Sequence, residues 1–283
     1  MMKNDASYEI LDLMARYEND TEAALKAETS PECLYAFSPL RENLFEWTEI
    51  QGDSRVLQIG SDYGSYTGLL ARRAGETVVL DPRDENLEVN RLRHGTYGNL
   101  RFVRGDILKP EAGYKEYKPG NGTSPLEFPG EGFDLIFMAG TLEQYKKEEA
   151  EAVLKAAAGL LKPEGTLYFA AENAAGGRYW MGAERFDVSF LRAEVLELLE
   201  SLEGTYGGSS LLYYPVPDYR YPAAVYSDAY LPENGEVTNI SARLDGPGLT
   251  FGSEEQAMAM ACRNGVFSSF ANSFLGAYRR GQS

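Results

Sequence analysis

Short apolar runs alternate with segments of helical period through the middle of the chain. Each apolar run has the length of a strand, and the segment after it repeats its apolar residues at helical spacing. Such alternation predicts a parallel sheet that is covered by helices on both faces. The pattern predicts strands at 55–60, 76–81, 100–105, 133–138 and 166–171, and helices at 64–74, 84–93 and 146–161.

The segments on either side of this core have their own patterns. Residues 7–28 predict one or two amphipathic helices, and Ser38 and Pro39 begin another, so residues 1–49 predict an N-terminal helical cap. Residues 109–130 are rich in proline and glycine and predict a surface insertion. Later in the chain, the pattern predicts a helix at 190–202, a strand at 210–214, an insertion at 215–266 and a last strand near 270–278.

The first strand ends in a glycine turn that suits a nucleotide-like ligand. Gly60 and Gly64 lack a Cβ, so the backbone amides at the start of the next helix can approach a ligand closely. Three later strand ends carry acidic or polar residues, namely Asp81, Asp106 and the segment 139–143. Open α/β sheets bind ligands at the carboxyl ends of their strands, which is where all of these residues are predicted to lie.

This succession of a turn and polar strand ends resembles the class I S-adenosylmethionine-dependent methyltransferases. The rival interpretation is a dinucleotide-binding Rossmann domain, but Asp62 and Ser65 stand where its fingerprint needs glycine. The resemblance implies an α/β fold with a Rossmann-like, mostly parallel sheet of seven strands, of which the last is antiparallel. It implies an S-adenosylmethionine-binding domain at residues 50–283, with 215–266 as a substrate-side insertion, and a reaction that requires no metal.

The resemblance also assigns residues to the cofactor. Asp81 can accept hydrogen bonds from both ribose hydroxyls, although it could instead cap the next helix. Asp106 lies near the adenine position, with a turn aspartate as its alternative. Asp62 could hold the turn in a left-handed conformation or meet the cofactor's ammonium group. The cofactor-binding candidates are Gly60, Asp62, Gly64, Asp81, Asp106 and Gly140.

The second half of the chain resembles a subgroup of bacterial methyltransferases that accompany or are fused to polysaccharide glycosyltransferases. This resemblance implies a glycosyltransferase partner and a small-molecule or saccharide acceptor. Tyrosine rings can stack on sugar rings while their hydroxyls form hydrogen bonds, but the same tyrosines could be buried against the sheet edge. The resemblance to this subgroup rests chiefly on the motifs Ala171–Asn173, Arg178–Gly182 and Tyr213–Pro232. The substrate-binding candidates are Tyr214, Asp218, Tyr219 and Tyr226.

Methyl transfer from a sulfonium is an in-line displacement, and a base helps when the acceptor is a hydroxyl. The single histidine, His94, precedes Gly95 and is interpreted as a cation at a helix C-terminus. The base is therefore predicted among tyrosines or carboxylates near the strand ends. The carboxylates are Glu143, Glu172, Asp218 and Asp228, of which Glu143, Glu172 and Asp228 are the catalytic candidates.

Composition narrows the class of substrate and the compartment. The chain has 283 residues, 43% of them hydrophobic, and a formal net charge of −16, which disfavours a nucleic-acid substrate. Cys33 and Cys262 belong to no cluster with metal-ligand spacing, so no metal site is predicted. No apolar run is long enough to span a membrane, and a cytoplasmic protein is expected. The sequence makes no prediction about oligomeric state.

The sequence thus predicts an S-adenosylmethionine-dependent methyltransferase that acts on an oxygen or nitrogen of a small molecule or saccharide intermediate. The alternative is a catalytically silent binding module with the same fold, which would serve a glycan-assembly partner. Gln58 and Asp62 depart from the acidic and glycine residues that the family usually has at this turn. These departures and the absence of a histidine base support the alternative.

Overall fold

The computed structural model describes residues 4–118, 122–126, 132–237 and 252–282. One mixed sheet runs through this part of the chain. Its strands are β1 (Arg55–Ile59), β2 (Glu76–Asp81), β3 (Leu100–Arg104), β4 (Tyr114–Lys118), β5 (Gly122–Leu126), β6 (Phe133–Met138), β7 (Leu161–Glu172), β8 (Ser209–Val216), β9 (Ala224–Ser227) and β10 (Ser273–Arg279). They lie side by side in the order β5-β4-β3-β2-β1-β6-β7-β10-β8-β9.

The strand pairing confirms the predicted fold class. Strand β1 pairs in parallel with β2 and β6, and β10 lies antiparallel between β7 and β8, as predicted for the last strand. The predicted number of seven strands is wrong, because the described residues form ten. The seven expected strands are present, and β4, β5 and β9 extend the sheet at its two edges.

Two of the additional strands lie within the predicted surface insertion at 109–130. Strand β4 pairs antiparallel with β3 and with β5, so the insertion includes an edge hairpin. The hairpin is rich in charged residues and carries Pro125 in its outer strand, where a missing N–H costs no ladder hydrogen bond. Strand β4 is polar and partly exposed, so no apolar run reveals it in the sequence.

Helices cover both faces of the parallel strands. They are α1 (Asn4–Arg16), α2 (Thr21–Ala27), α3 (Pro31–Phe37), α4 (Asn43–Glu46), α5 (Thr67–Arg73), α6 (Asp84–His94), α7 (Ala150–Gly159), α8 (Gly177–Trp180), α9 (Arg192–Tyr206), α10 (Glu254–Arg263) and α11 (Phe267–Phe270). Val56 packs with Leu70 of α5 on one face, while its neighbour Leu57 belongs to the cluster with Leu154 of α7 on the other. Burial on both faces is why β1 is apolar at successive positions such as Val56 and Leu57.

The N-terminal helices pack over the glycine turn that follows β1. Ile10, Met14 and Phe37 form a buried cluster with Tyr63, which lies in the turn itself. The first helices therefore contact the candidate ligand-binding edge directly.

The predicted insertion at 215–266 is described in part. Residues 238–251 lie outside the described residues, and the described remainder contains β9 and α10. Within the ranges that the structure describes, every helix is too short or too polar to cross a lipid bilayer.

Candidate active site

The turn after β1 curls through four left-handed residues. Gly60, Asp62, Tyr63 and Gly64 have φ values of 85°, 46°, 55° and 79°. At Gly60 a Cβ would lie 2.5 Å from Thr141 Oγ1, so only glycine fits there. The left-handed residues therefore let the turn pack tightly against Thr141 at the carboxyl edge of the sheet.

Gln58 holds this turn from inside the sheet. Its fully buried amide donates hydrogen bonds to the carbonyl oxygens of Gly60 and Ser61, at 3.0 and 3.1 Å, and its Oε1 accepts one from Thr67 at 2.6 Å. The residue that departs from the family's usual acidic position thus has a structural task, which is to fix the turn's carbonyls.

The carboxylate of Asp62 is held by residues of the N-terminal cap. Arg41 forms a buried ion pair with Asp62 Oδ2, and the Tyr35 hydroxyl donates to Oδ1 at 3.0 Å. Ser65 Oγ donates to Oδ2 at 2.8 Å, and Arg41 also donates to the Tyr35 carbonyl at 3.0 Å. The structure thus places Asp62 in the turn-holding arrangement, with its charge balanced by Arg41.

Asp81 ends β2 beneath the same turn and is fully buried. Its Oδ2 accepts hydrogen bonds from the Ser61 amide at 2.8 Å and from Asn86 Nδ2 at 3.1 Å, and its Oδ1 accepts one from the Arg83 amide at 2.8 Å. Burial raises the pKa of the Asp81 carboxyl, while the Arg83 charge and these donors oppose the rise. Asp81 therefore links the turn to the start of α6.

Asp106 lies at the next strand end and faces Tyr145. Asp106 Oδ1 accepts hydrogen bonds from the Leu108 amide and from the Tyr145 hydroxyl, both at 2.9 Å. Burial raises the pKa of Tyr145 strongly, and the carboxylates of Asp106 and Asp81 add to that rise. Asp81, Asp106 and Tyr145 therefore form one polar group at the ends of β2 and β3, which we call the adenosyl-side group.

A second group lies after β6, where Glu143 meets Tyr219. The Tyr219 hydroxyl donates to Glu143 Oε1 at 3.2 Å. The other carboxylate oxygen, Oε2, is buried and has no hydrogen-bond partner among the described residues. Burial raises the pKa of Glu143 to about 7, and the nearby Asp62 carboxylate adds to the rise. A carboxyl group poised near neutrality is typical of a general base.

Gly140 lies beside Tyr35 and the Asp62 carboxylate. It has a φ of 68°, and a Cβ there would approach Tyr35 Oη to 3.3 Å and Asp62 Oδ1 to 3.8 Å. We call Tyr35, Asp62, Gly140, Glu143 and Tyr219 the methyl-side group. It joins the N-terminal cap, the turn, the end of β6 and the segment after β8.

Glu172 and Asp218 lie in a buried ion network instead. Arg178, which is fully buried, pairs with Glu172 Oε1 and, at 2.8 Å, with Asp218 Oδ2. Arg220 pairs with the same Asp218 oxygen at 2.7 Å. Although burial alone would raise it, these two guanidinium groups lower the pKa of Asp218 to about 2. These ion pairs fix Glu172 and Asp218 in place beside the site, and a carboxylate held in this way is poorly suited to proton transfer.

Asp228, Tyr214 and Tyr226 lie toward the far edge of the sheet. Tyr214 is buried, and its hydroxyl donates to Asp228 Oδ1 at 2.5 Å. Asp228 also pairs with Arg192 at 3.0 Å, and Tyr226 stacks on Tyr230. The structure does not bring these three residues to Glu143, because β8 and β9 lie beyond β7 and β10 in the sheet.

His94 ends α6 as expected, but its environment differs from a helix-terminal cation. Burial, with the charge of Arg93, lowers the pKa of His94 to about 4, and Nε2 lies 2.8 Å from the Gly64 carbonyl oxygen. The neutral ring therefore braces the turn and is not placed as a base.

Three residues of the site escaped the sequence analysis: Tyr35, Arg41 and Tyr145. Arg41 follows Ser38 and Pro39, which the sequence analysis interpreted only as the start of a helix. Tyr35 lies in a short helix without a motif, and Tyr145 follows Glu143 closely enough that its position could have suggested it.

Comparison with known proteins identifies the domain. The family model described as "Methyltransferase domain" matches residues 57–169. This segment is therefore similar to methyltransferase domains. The predicted enzyme class and the predicted cofactor, S-adenosylmethionine, are thereby confirmed for the domain.

Two curated relatives match this chain over only part of their own length. Phosphoethanolamine N-methyltransferase 1 of Arabidopsis thaliana is 29% identical over 114 residues, which cover 40% of this chain and 20% of that protein. Phosphoethanolamine N-methyltransferase 3 of the same plant is 28% identical over 145 residues, which cover 51% of this chain and 24% of that protein. The chain therefore spans about a quarter or less of these relatives.

Solved structures support the fold. Phosphoethanolamine N-methyltransferase 1 of Haemonchus contortus, in complex with phosphoethanolamine and S-adenosylhomocysteine, is 12% identical with a TM-score of 0.55, over 99% of this chain and 50% of that one. A SAM-dependent methyltransferase from Archaeoglobus fulgidus is 14% identical with a TM-score of 0.50, over 89% and 95% of the two chains. At these identities the likeness concerns the fold.

The residues at the site fit an S-adenosyl ligand. Gly60 and Gly140 let the turn and the end of β6 pack closely against Thr141 and Tyr35, and Glu143 Oε2 is a buried acceptor without a partner among the described residues. A sulfonium or ammonium group near that oxygen would satisfy it, since a buried unpaired acceptor is costly.

Proposed function

We propose that the protein transfers a methyl group from S-adenosylmethionine to a nitrogen or oxygen atom of a small-molecule or saccharide acceptor. The observation that carries this proposal is Glu143, whose Oε2 is buried without a partner among the described residues and whose pKa is raised to about 7 by burial. The methyltransferase domain match supports the reaction class.

The cofactor supplies an electrophilic methyl group on sulfur. With S-adenosylmethionine bound, Glu143 Oε2 would take the proton from the acceptor's nitrogen or oxygen as that atom receives the methyl group, and S-adenosylhomocysteine would leave. Tyr219 donates to Oε1 and so directs Oε2 toward the acceptor. Alignment and exclusion of water are the protein's main contributions to such a displacement.

On the cofactor side, we assign the adenosyl-side group to the nucleoside. Asp81 Oδ1 accepts a single short hydrogen bond, from the Arg83 amide, and retains acceptor capacity for a ribose hydroxyl. Asp106 lies one strand further along, toward the adenine. The turn from Gly60 to Gly64 would hold the aminoacyl end, with Asp62 and Arg41 offering one charge of each sign.

On the acceptor side, Tyr219 is the candidate that touches the methyl-side group. Glu172 and Asp218 would act as positioning residues, since their carboxylates are engaged by Arg178. A saccharide acceptor and a glycosyltransferase partner rest on the resemblance of the tyrosine-rich segment and extend the proposal. The phosphoethanolamine methyltransferases share the domain and make an amine acceptor the first class to test.

One observation supports a catalytically silent binding module as a second candidate. Asp81 is fully buried and both of its oxygens already accept hydrogen bonds from the protein. If those bonds cannot loosen, the ribose would lose its partner. Folded protein that fails to bind S-adenosylhomocysteine would favour this second candidate.

An acceptor screen tests the proposed reaction. The protein is incubated with S-adenosylmethionine labelled in its methyl group and with panels of primary amines, phosphorylated amines and neutral glycosides. We expect label transfer to at least one panel, with formation of S-adenosylhomocysteine in equal amount. Transfer in no panel, by protein that binds S-adenosylhomocysteine, would contradict the proposed catalysis.

A further inference from the structure

A cavity of about 710 Å³ lies at the end of the sheet opposite the candidate active site. It opens beside the starts of β1 and β6, whereas the glycine turn and Glu143 follow the ends of these strands. Its lining comes from the segment before β1, from the start of β6 and from β7 and β10. A ligand in this cavity is therefore separated from the methyl-side group by the length of the strands.

One wall of the cavity is aromatic. Trp47 is 42% exposed, and its ring centroid lies 4.8 Å from that of Tyr213 and 6.1 Å from that of Tyr168. The indole N–H is already used, because it donates to the Leu44 carbonyl at 2.9 Å. Trp47 therefore offers the cavity a fixed apolar ring surface without an open donor.

The opposite wall carries both hydrogen-bond donors and acceptors. Lys162 pairs with both oxygens of Asp134 at 2.8 Å, and Arg279 lies 3.6 Å from Glu164. These ion pairs are partly exposed, so their cations can still donate hydrogen bonds to ligand hydroxyls and their carboxylates can still accept them. The wall thus presents charges of both signs within one cavity.

Further acceptors surround the aromatic wall. Glu49 and Asp53 are exposed, and no cation lies within ion-pairing distance of either carboxylate in the described part of the chain. Burial, with the nearby Tyr213 and the charge of Glu49, raises the pKa of Tyr168 to about 12. The Tyr168 hydroxyl stays protonated and can donate.

We propose that this cavity binds a neutral saccharide. A sugar ring has an apolar face that can stack on Trp47, and hydroxyls that both donate and accept. The carboxylates of Glu49 and Asp53 would accept from these hydroxyls, and Lys162 would donate to them. The volume of the cavity lies within the range that takes ligands of this size.

The charge distribution favours a neutral ligand over an organic cation. A cation would be attracted by Trp47 and the carboxylates, but it would meet Lys162 and Arg279 on the facing wall. An anion would meet the more numerous carboxylates. The hydroxyls of a sugar can donate to the carboxylates and accept from Lys162 and Arg279, and a neutral sugar has no charge of its own to desolvate.

The chain's two tryptophans provide the test. Trp180 lies after the opposite end of β7, is 61% exposed and donates to a backbone carbonyl, like Trp47. In Trp180→Phe, Trp47 is the only indole reporter. Titration with methyl glycosides of glucose, galactose, mannose and N-acetylglucosamine to about 50 mM should give a saturable fluorescence change with a millimolar Kd for at least one sugar.

Variants locate the site. In ligand-observed saturation-transfer NMR, Trp47→Ala and, as a second variant, Asp53→Asn should weaken the glycoside by at least tenfold, whereas Trp180→Phe should bind it as the unaltered chain does. S-adenosylhomocysteine affinity should stay unchanged in all three, which separates this inference from the proposed methyl transfer. Trp47→Ala should lower the melting temperature, because the ring packs on Tyr213 and Tyr168, whereas the exposed Asp53→Asn should not.

Three results would overturn the inference. The first is the absence of saturable binding by every glycoside of the panel. The second is binding that both Trp47→Ala and Asp53→Asn leave intact. The third is saturation by choline, used as an organic cation, when no glycoside produces a signal.

Discussion

Glu143→Gln should lower kcat/KM for methyl transfer by about a hundredfold or more, since general-base catalysis contributes at least that factor. The amide keeps the shape of the side chain and can still accept the Tyr219 hydrogen bond at Oε1. It cannot take a proton from the acceptor. The measurement is steady-state kinetics on the acceptor found by the screen, with S-adenosylhomocysteine affinity as the test of an intact cofactor site.

The pH profile separates a base from a positioning residue. Burial raises the pKa of Glu143 to about 7, so kcat/KM of the unaltered protein should rise with pH through that value. Glu143→Gln should lose this rise. Glu148→Gln, an exposed neighbour in the same segment, should keep both rate and profile. A Glu143→Gln variant with full activity and an unchanged profile would remove Glu143 from the proton transfer.

The raised pKa of Glu143 also makes the free energy of unfolding depend on pH. The unfolded chain ionises Glu143 near the ordinary value of 4.5, while the folded protein holds the proton to about 7. Unfolding is therefore favoured increasingly as pH rises between these values, because the folded state binds the extra proton. Glu143→Gln should flatten this part of the pH dependence of unfolding free energy.

Arg41→Met should destabilise the fold by about 3 to 5 kcal/mol, because it leaves the buried Asp62 carboxylate without its cation. Both side chains are nearly inaccessible, at 2% and 7% exposed, so water cannot replace the guanidinium. The Tyr35 carbonyl would lose a donor as well. The free energy of unfolding in urea is the quantity to measure.

A double variant isolates the contribution of the Arg41–Asp62 ion pair to stability. Arg41→Met with Asp62→Asn should be more stable than Arg41→Met alone, since no buried charge then lacks a partner. Arg16→Met, which removes the exposed ion pair with Glu28, should cost less than about 1 kcal/mol. A loss of that small size in Arg41→Met would contradict a buried, mutually dependent pair.

Much of the fold was predictable because the central strands are buried on both faces. A strand such as β1 must be apolar at successive positions, and that run is visible in the sequence. The hairpin of β4 and β5 was not predictable in this way. The residues of β4 are mostly polar and partly exposed, and the pairing of β4 depends on the edge of β3.

The site residues likewise fall into those that the sequence could predict and those that depend on tertiary packing. Gly60, Asp81 and Glu143 follow strand ends, and the sheet brings such ends together whatever the rest of the chain does. Arg41 and Tyr35 reach Asp62 because the N-terminal helices pack on Tyr63, which is a tertiary arrangement. Local sequence spacing does not encode that contact.

Isothermal calorimetry with S-adenosylhomocysteine tests the central claim, that the turn after β1 is a working cofactor site. We expect saturable binding at one site per chain with a Kd on the order of micromolar. NAD should give no binding heat, because Asp62 and Ser65 stand where a pyrophosphate needs glycine. Folded protein that gives no heat with S-adenosylhomocysteine, or that binds NAD more tightly, would contradict the account.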